Sequence, residues 1–315
     1  MGASAVAVVP AHLRSPRDAA WLTRGVAALV REPALGAVVV VDDASPAPLP
    51  PLPRSVELVR LARNAGPAAA RNLGIERALA LGAREVLFTD HDCVCEPGWA
   101  AALVAALDRG HAGASGVTRA LGRTLLDRYQ DFAGAMNGQW IVPGRASLLY
   151  GPSCNLGVRA DALAAVRFDE GFPSAAGEDL DFCHRLRRLG TIAFVPAAVV
   201  LHDFGYPGTV RGLGRLLAQV RRYAAADRLV FEKHPELRFV RSEGCAPPDI
   251  LAAPPLDAAV YQRPALSRVR PQRLVPFFFF MRHLTRAAYR RGQRASARGR
   301  PAPLGHAVPG SPAAV

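Results

Sequence analysis

Short apolar runs that stop on polar or acidic residues constrain this chain more than any other feature. Ala5–Val9 stops at Pro10, Ala37–Val41 at Asp42-Asp43, and Val86–Thr89 at Asp90. Runs this short, with apolar residues at consecutive positions, suit strands buried on both faces. Between them lie stretches with helical spacing. Asp18–Val30 is one; the Ala-rich Pro67–Leu81 is another, opening on proline at a favoured first helical position and ending before Gly82. Val56–Leu61 alternates as a half-buried strand does. The β-α-β-β-α-β order predicts a Rossmann-like α/β fold, a mostly parallel sheet covered by helices on both faces. Polar residues gather just past the carboxyl ends of the strands, where open α/β sheets bind ligands.

After a helical Trp99–Leu107 the pattern loses regularity until Glu178–Leu189, which places Phe182, Cys183, Leu186 and Leu189 on one helical face and stops at Gly190. Ile192–Val195 and Val199–Leu201 predict two short strands, and Thr209–Phe231 a long amphipathic helix with a basic side. Cys245–Pro264 is Pro-rich and linker-like, and Gly292–Val315 has the composition of a disordered tail.

Charge is concentrated at one end. Of the formal net charge of +13, eleven arginines and no acid fall after Asp257, which leaves 13 − 11 = +2 for the body. A nucleic-acid partner is therefore not expected. Lys233 is the only lysine, so a GxxxxGK phosphate loop is excluded. Cys93, Cys95, Cys154, Cys183 and Cys245 are odd in number, scattered and without CxxC, which suits a reduced compartment better than a disulfide framework or a zinc ribbon. The N-terminus has no basic region before its apolar run, and no apolar stretch approaches a membrane span. The expectation is a cytoplasmic protein.

Three acidic clusters sit at element ends. Asp42-Asp43-Ala44-Ser45 follows a strand, where such residues also serve as turn formers. Asp90-His91-Asp92 is a DxD at a strand end; in extended backbone both carboxylates would face one oxygen-loving cation. Glu178-Asp179 opens a helix, where acids also complement the macrodipole.

Their order, with Asn64-Ala65-Gly66 and Ala70-Arg71-Asn72-Leu73-Gly74 between the first two, resembles the family 2 glycosyltransferases of the GT-A fold. The matching segments are Val8-Val9-Pro10-Ala11, Val40–Ser45, Asn64–Gly74, Asp90–Asp92, a GxN-type acceptor loop at Gly151–Asn155, Glu178-Asp179 and His202. The resemblance spans roughly residues 5 to 235. It implies a GT-A domain over residues 1–240, divided into a nucleotide-binding half (1–110) and an acceptor half (111–240), with a Pro/Arg-rich extension over 241–315.

The resemblance further implies roles. Pro10, Ala11, Asp43, Asn64, Arg71 and Asp90 would bind a UDP- or dTDP-sugar, with Asp43 accepting from the imide N–H of the base. Asp92, with His202, would hold a divalent metal, Mn²⁺ or Mg²⁺, at the diphosphate. Asp179 would act as general base on the acceptor hydroxyl in an inverting transfer, supported by Glu178. Arg71 as a plain helix-surface arginine and His202 as a structural hydrogen-bonding residue remain open. Processive relatives carry a QxxRW motif and spanning helices, both absent here, so transfer of one sugar or few is implied. The Ala/Arg/Pro-rich composition suits a high-GC bacterial source.

Other classes lack their signatures. A dinucleotide enzyme needs GxGxxG after the first strand, where this chain has Pro10-Ala11-His12-Leu13. Gly113-Ala114-Ser115-Gly116-Val117 fails as a GxSxG nucleophile elbow. A non-catalytic protein that binds nucleotide-sugars, or anionic surfaces through its basic tail, is the alternative. For Phe277–Phe280 and its flanking arginines, including Arg268, Arg270, Arg282, Arg286 and Arg290, two readings stay open. The phenylalanines pack on the domain, or they make a peripheral contact with the inner face of a membrane.

Overall fold

The computed structural model describes residues 5–138, 147–172, 175–237 and 272–298. Its first half follows the expected rhythm: β1 (Ala5–Ala11), α1 (Pro16–Leu29), β2 (Leu35–Asp42), β3 (Val56–Arg60), α2 (Pro67–Ala80) and β4 (Glu85–Phe88). β1 pairs in parallel with both β2 and β4, and β2 with β3. Every residue of β1 and β4 is buried, as consecutive apolar runs require when helices cover both faces. At Gly74 in α2 a Cβ would lie 2.2 Å from a Val8 methyl, so glycine lets the helix settle on β1.

The second half adds β5 (Cys93–Cys95), α3 (Trp99–Leu107), β6 (Gly113–Ala120), α4 (Leu125–Ala133), β7 (Leu156–Arg159), α5 (Ala160–Ala165), α6 (Glu178–Leu186), β8 (Ile192–His202), α7 (Val210–Lys233) and α8 (Val275–Arg298). The eight strands run in the order β3-β2-β1-β4-β7-β6-β8-β5. The all-parallel strands β3, β2, β1 and β4 thus continue into a mixed region: β7 is antiparallel to both β4 and β6, β8 is parallel to β6, and β5 is antiparallel to β8.

Two expectations change here. The pair of short strands is one strand, β8. Its partners step from Ser115↔Phe194 to Val117↔Val199, so β8 advances five residues while β6 advances two. Pro196 falls in that bulge, where no ladder N–H is needed.

The second change concerns Gly292, where the tail was expected to begin. It lies inside α8, which continues to Arg298. A Cβ at Gly292 would lie 2.6 Å from the Arg221 carbonyl oxygen, so glycine allows close approach to α7, and Gln293 Nε2 donates to the Ala224 carbonyl at 2.9 Å. The close packing holds the helix together past the arginine-rich turn.

α8 rests on α7 and α4, burying Phe278 and Met281 against Leu126, Tyr129 and Leu216. Tyr289 donates to Asp227 at 2.7 Å. The Pro-rich 245–264, Arg268, Arg270 and residues 299–315 lie outside the described residues. Among the described residues, no helix is long and apolar enough to cross a membrane.

Candidate active site

The carboxyl ends of the parallel strands β1, β2 and β4 lie side by side. The Asp43 amide donates to the Ala11 carbonyl at 2.8 Å, and that of Thr89 to Val8 at 3.2 Å. Pro10 and Ala11 are buried there, in register with Val41 and Asp42. The two aspartates after β2 differ in role. Asp42, fully buried, closes the turn by accepting from the Ser45 amide at 2.9 Å and pairs with Arg60 at 2.6 Å. Asp43 accepts from the amides of Ala65 and Gly66 at 2.7 and 2.9 Å, tying down the loop that enters α2. Asn64 thereby comes beside His12, whose Nδ1 lies 2.8 Å from the Asp43 carbonyl oxygen and 3.0 Å from Asn64 Nδ2. In the sequence, His12 stands out only as a departure from GxGxxG.

Arg71 is not a surface arginine. It is 3% exposed and its guanidinium bridges Asp90 at 2.8 Å and Glu178 at 3.0 Å. The Phe168 ring supports it, centroid 5.5 Å away, and Phe168 is itself stacked on Phe182. Asn72, the next residue of the motif, donates to the Phe168 carbonyl and accepts from its amide, both at 2.9 Å. Burial works against the Arg71 charge, but Asp90 and Glu178 outweigh it and hold the guanidinium charged.

The DxD segment is a turn, not extended backbone. The Cys93 amide bonds back to the Asp90 carbonyl at 3.1 Å, so the alternation argument fails and the two carboxylates part company. Asp90 turns to Arg71. Asp92 lies beside His202, with Oδ1 3.7 Å from Nε2, because β5 pairs Cys93 with His202. One ligand atom each from Asp92, Cys93 and His202 falls within 4.8 Å of the others. The His202 Nδ1 is buried without a hydrogen-bond partner, and its ring stacks on Phe204. Burial pushes the Cys93 thiol well up, toward the protonated form. A carboxylate oxygen and an imidazole nitrogen therefore remain as the better donors, a set that suits Mn²⁺.

The acid pair opens α6. Glu178 is 4% exposed; one oxygen meets Arg71 and the other is buried without a partner. Burial, then the neighbouring Asp179 charge, push its carboxyl up to about 7 against the pull of Arg71. Asp179 is raised as well, by burial, in part offset by Arg71 and by the Tyr150 hydroxyl, which donates to Oδ2 at 3.0 Å. Tyr150 carries no pattern that marks it in the sequence. Behind the pair, fully buried Asp181 accepts from Arg185, Lys233 and His234 at 2.6–2.9 Å and locks α6 to the end of α7.

Asn155, the asparagine of the expected acceptor loop, is fully buried and spent inside the protein. Its Oδ1 accepts from Trp99 Nε1, and its Nδ2 donates to the carbonyls of Val117 and Ala198. It clamps α3, β6 and β8 together behind the site.

Residues 6–168 match the family described as "Glycosyl transferase family 2". Among solved structures, the chain is similar to the mannosyltransferase PcManGT from Pyrobaculum calidifontis in complex with GDP-Man and Mn²⁺. The identity is 17% and the TM-score 0.56, over 93% of this chain and 88% of that one. It is also similar to GalNAc-T7 crystallised with UDP, GalNAc and Mn²⁺, at 15% identity and TM-score 0.50, over 83% of this chain but 58% of that one. At such identities the likeness shows the fold. No curated protein matches the chain.

Proposed function

The chain belongs to glycosyl transferase family 2, and from that premise we propose that it moves a sugar from a UDP- or dTDP-sugar to a hydroxyl of a small-molecule, lipid or glycan acceptor. The observation that carries the reading is the Arg71 bridge. One buried guanidinium joins Asp90, at the strand ends that receive the donor, to the acid pair that receives the acceptor.

On the donor side, Pro10, Ala11 and Asn64 line the base, and Asp43 accepts from the imide N–H of uracil or thymine. Asp90 contacts the ribose. Asp92 and His202 would hold the divalent cation, Mn²⁺ or Mg²⁺, which when bound supplies positive charge against the departing diphosphate. On the acceptor side, Asp179 takes the hydroxyl proton as the acceptor oxygen forms its bond to the sugar C1. The bond from C1 to the phosphate oxygen breaks, and the nucleoside diphosphate leaves with its electron pair. A single displacement of this kind inverts the anomeric centre. The raised pKa of Asp179 makes it a better base near neutral pH than an ordinary aspartate. The Tyr150 hydroxyl orients it, and Glu178 positions it.

Thermal shift and nucleoside diphosphate release, scanned over nucleotide sugars with and without Mn²⁺, test the reading. A UDP- or dTDP-sugar should raise the Tm and be turned over only with metal; at a hundredfold excess over Kd, binding adds about 2.7 kcal/mol. A response confined to GDP-sugars would overturn the base assignment. No response to any nucleotide sugar would overturn the donor class.

A further inference from the structure

α8 presents two unlike faces. Phe278, Met281 and Ala288 are buried, whereas Phe279 and Phe280 are 52% and 56% exposed. At about 100° per residue, Phe279, Phe280, His283, Arg286, Arg290 and Arg294 fall within an arc of about 120°, opposite the buried positions. All six are exposed. No acidic residue occurs in α8 or anywhere after Asp257.

Two features of this face call for one occupant. Adjacent phenylalanines are left in water, and a ladder of cations beside them is not neutralised by acids of its own helix. A second copy of the chain, docked through this face, would bring a second set of arginines and no acid from either helix to offset them. A nucleic-acid backbone would meet the arginines but leave the phenylalanines in water. A lipid interface matches both, with an acyl boundary for the rings and anionic headgroups for the guanidinium groups.

We propose that the outer face of α8 docks on a membrane surface rich in anionic lipid. Phe279 and Phe280 enter the interface, and Arg286, Arg290 and Arg294 lie over the headgroup phosphates. The helix lies on the membrane and does not cross it. The proposal is independent of the transferase reading, since none of these side chains belongs to the site at the strand ends.

Full-length protein is sedimented with vesicles of phosphatidylglycerol and phosphatidylcholine, and with pure phosphatidylcholine. Binding should require the anionic lipid and weaken with added salt. Phe279→Ser/Phe280→Ser and Arg286→Gln/Arg290→Gln/Arg294→Gln should each lower the bound-to-free ratio by about tenfold or more, with Tm unchanged. No pelleting of the wild type, or equal pelleting of the variants, overturns the proposal. So does a fall in Tm for the serine variant, which would mean that protein covers the rings. A wild-type dimer on size exclusion that these variants dissociate, or loss of affinity for a DNA duplex in place of vesicles, overturns it as well.

Discussion

Asp43, beside the end of β2, and Glu178, at the start of α6, are equally buried at 4% exposure, and the protein treats them in opposite ways. Asp43 accepts two backbone N–H groups, one on each oxygen, and so fixes a loop. Glu178 has one oxygen on Arg71 and the other without a partner, and its carboxyl is pushed up to about 7. The same contrast extends to their neighbours: Asp42 is held by an amide and an arginine, while burial raises Asp179. At the strand ends the carboxylates are held by amides and arginines; at the start of α6 burial pushes the carboxyls up. Arg71 touches both.

The largest effect should come from the proposed acceptor side. Asp179→Asn should cut donor turnover by about 10²–10⁴ while leaving nucleotide affinity intact, because only the proton acceptor is lost. A parallel loss of affinity would dissolve the division between the halves. Next comes the link. Arg71→Met leaves Asp90 and Glu178 facing an uncharged side chain, and removal of one partner from a buried ion pair typically costs about 3–5 kcal/mol. Chemical denaturation should report a loss of that order; a change under about 1 kcal/mol would mean that the bridge is ornamental.

Legibility in the sequence divides along the same line. The first half announced itself because β1, β2 and β4 carry consecutive buried apolar residues, Ala5–Val9, Val38–Val41 and Val86–Phe88, and because proline and glycine bracket α2. β6 hid because its interior carries Gly113, Ser115 and Gly116; a Cβ at Gly116 would lie 1.8 Å from the Ala198 carbonyl oxygen, so the strand needs glycine where periodicity looks for a side chain. β7 has only four residues. α4 had a readable start in the Thr124/Asp127 capping box, but its apolar face is completed by α8, about 150 residues later. The acids stood out because each cluster closes a strand or opens a helix: Asp42-Asp43, Asp90 and Asp92, and Glu178-Asp179. What the sequence could not carry was how they divide: a turn at Asp90–Cys93 sends two carboxylates to different partners, and Tyr150 reaches Asp179 only through the fold.

Two smaller effects sharpen the contrast. Asp43→Ala removes the carboxylate that accepts from the Ala65 and Gly66 amides; in this partly exposed loop the expected loss is about 0.5–1.5 kcal/mol per hydrogen bond, and nucleotide-sugar binding should weaken as well. A Tm equal to wild type would show that water replaces the carboxylate freely.

Glu178→Gln should behave differently. The folded-state pKa of Glu178 lies above its usual 4.5, so the stability it contributes is present below the unfolded value and is lost as pH rises through about 7. The Tm of the variant relative to wild type should therefore become more positive from pH 5 to pH 8. A Tm difference that is flat with pH would contradict the raised pKa.

The proposed division between nucleotide and metal binding at the strand ends and proton transfer at Asp179 can be tested without knowing the acceptor. UDP binding is titrated calorimetrically, with and without Mn²⁺, into wild type, Asp92→Asn and Asp179→Asn. Mn²⁺ should tighten UDP binding to wild type and to Asp179→Asn alike, and Asp92→Asn should lose the metal-dependent gain. Metal-dependent affinity that survives in Asp92→Asn, or disappears in Asp179→Asn, would contradict that division.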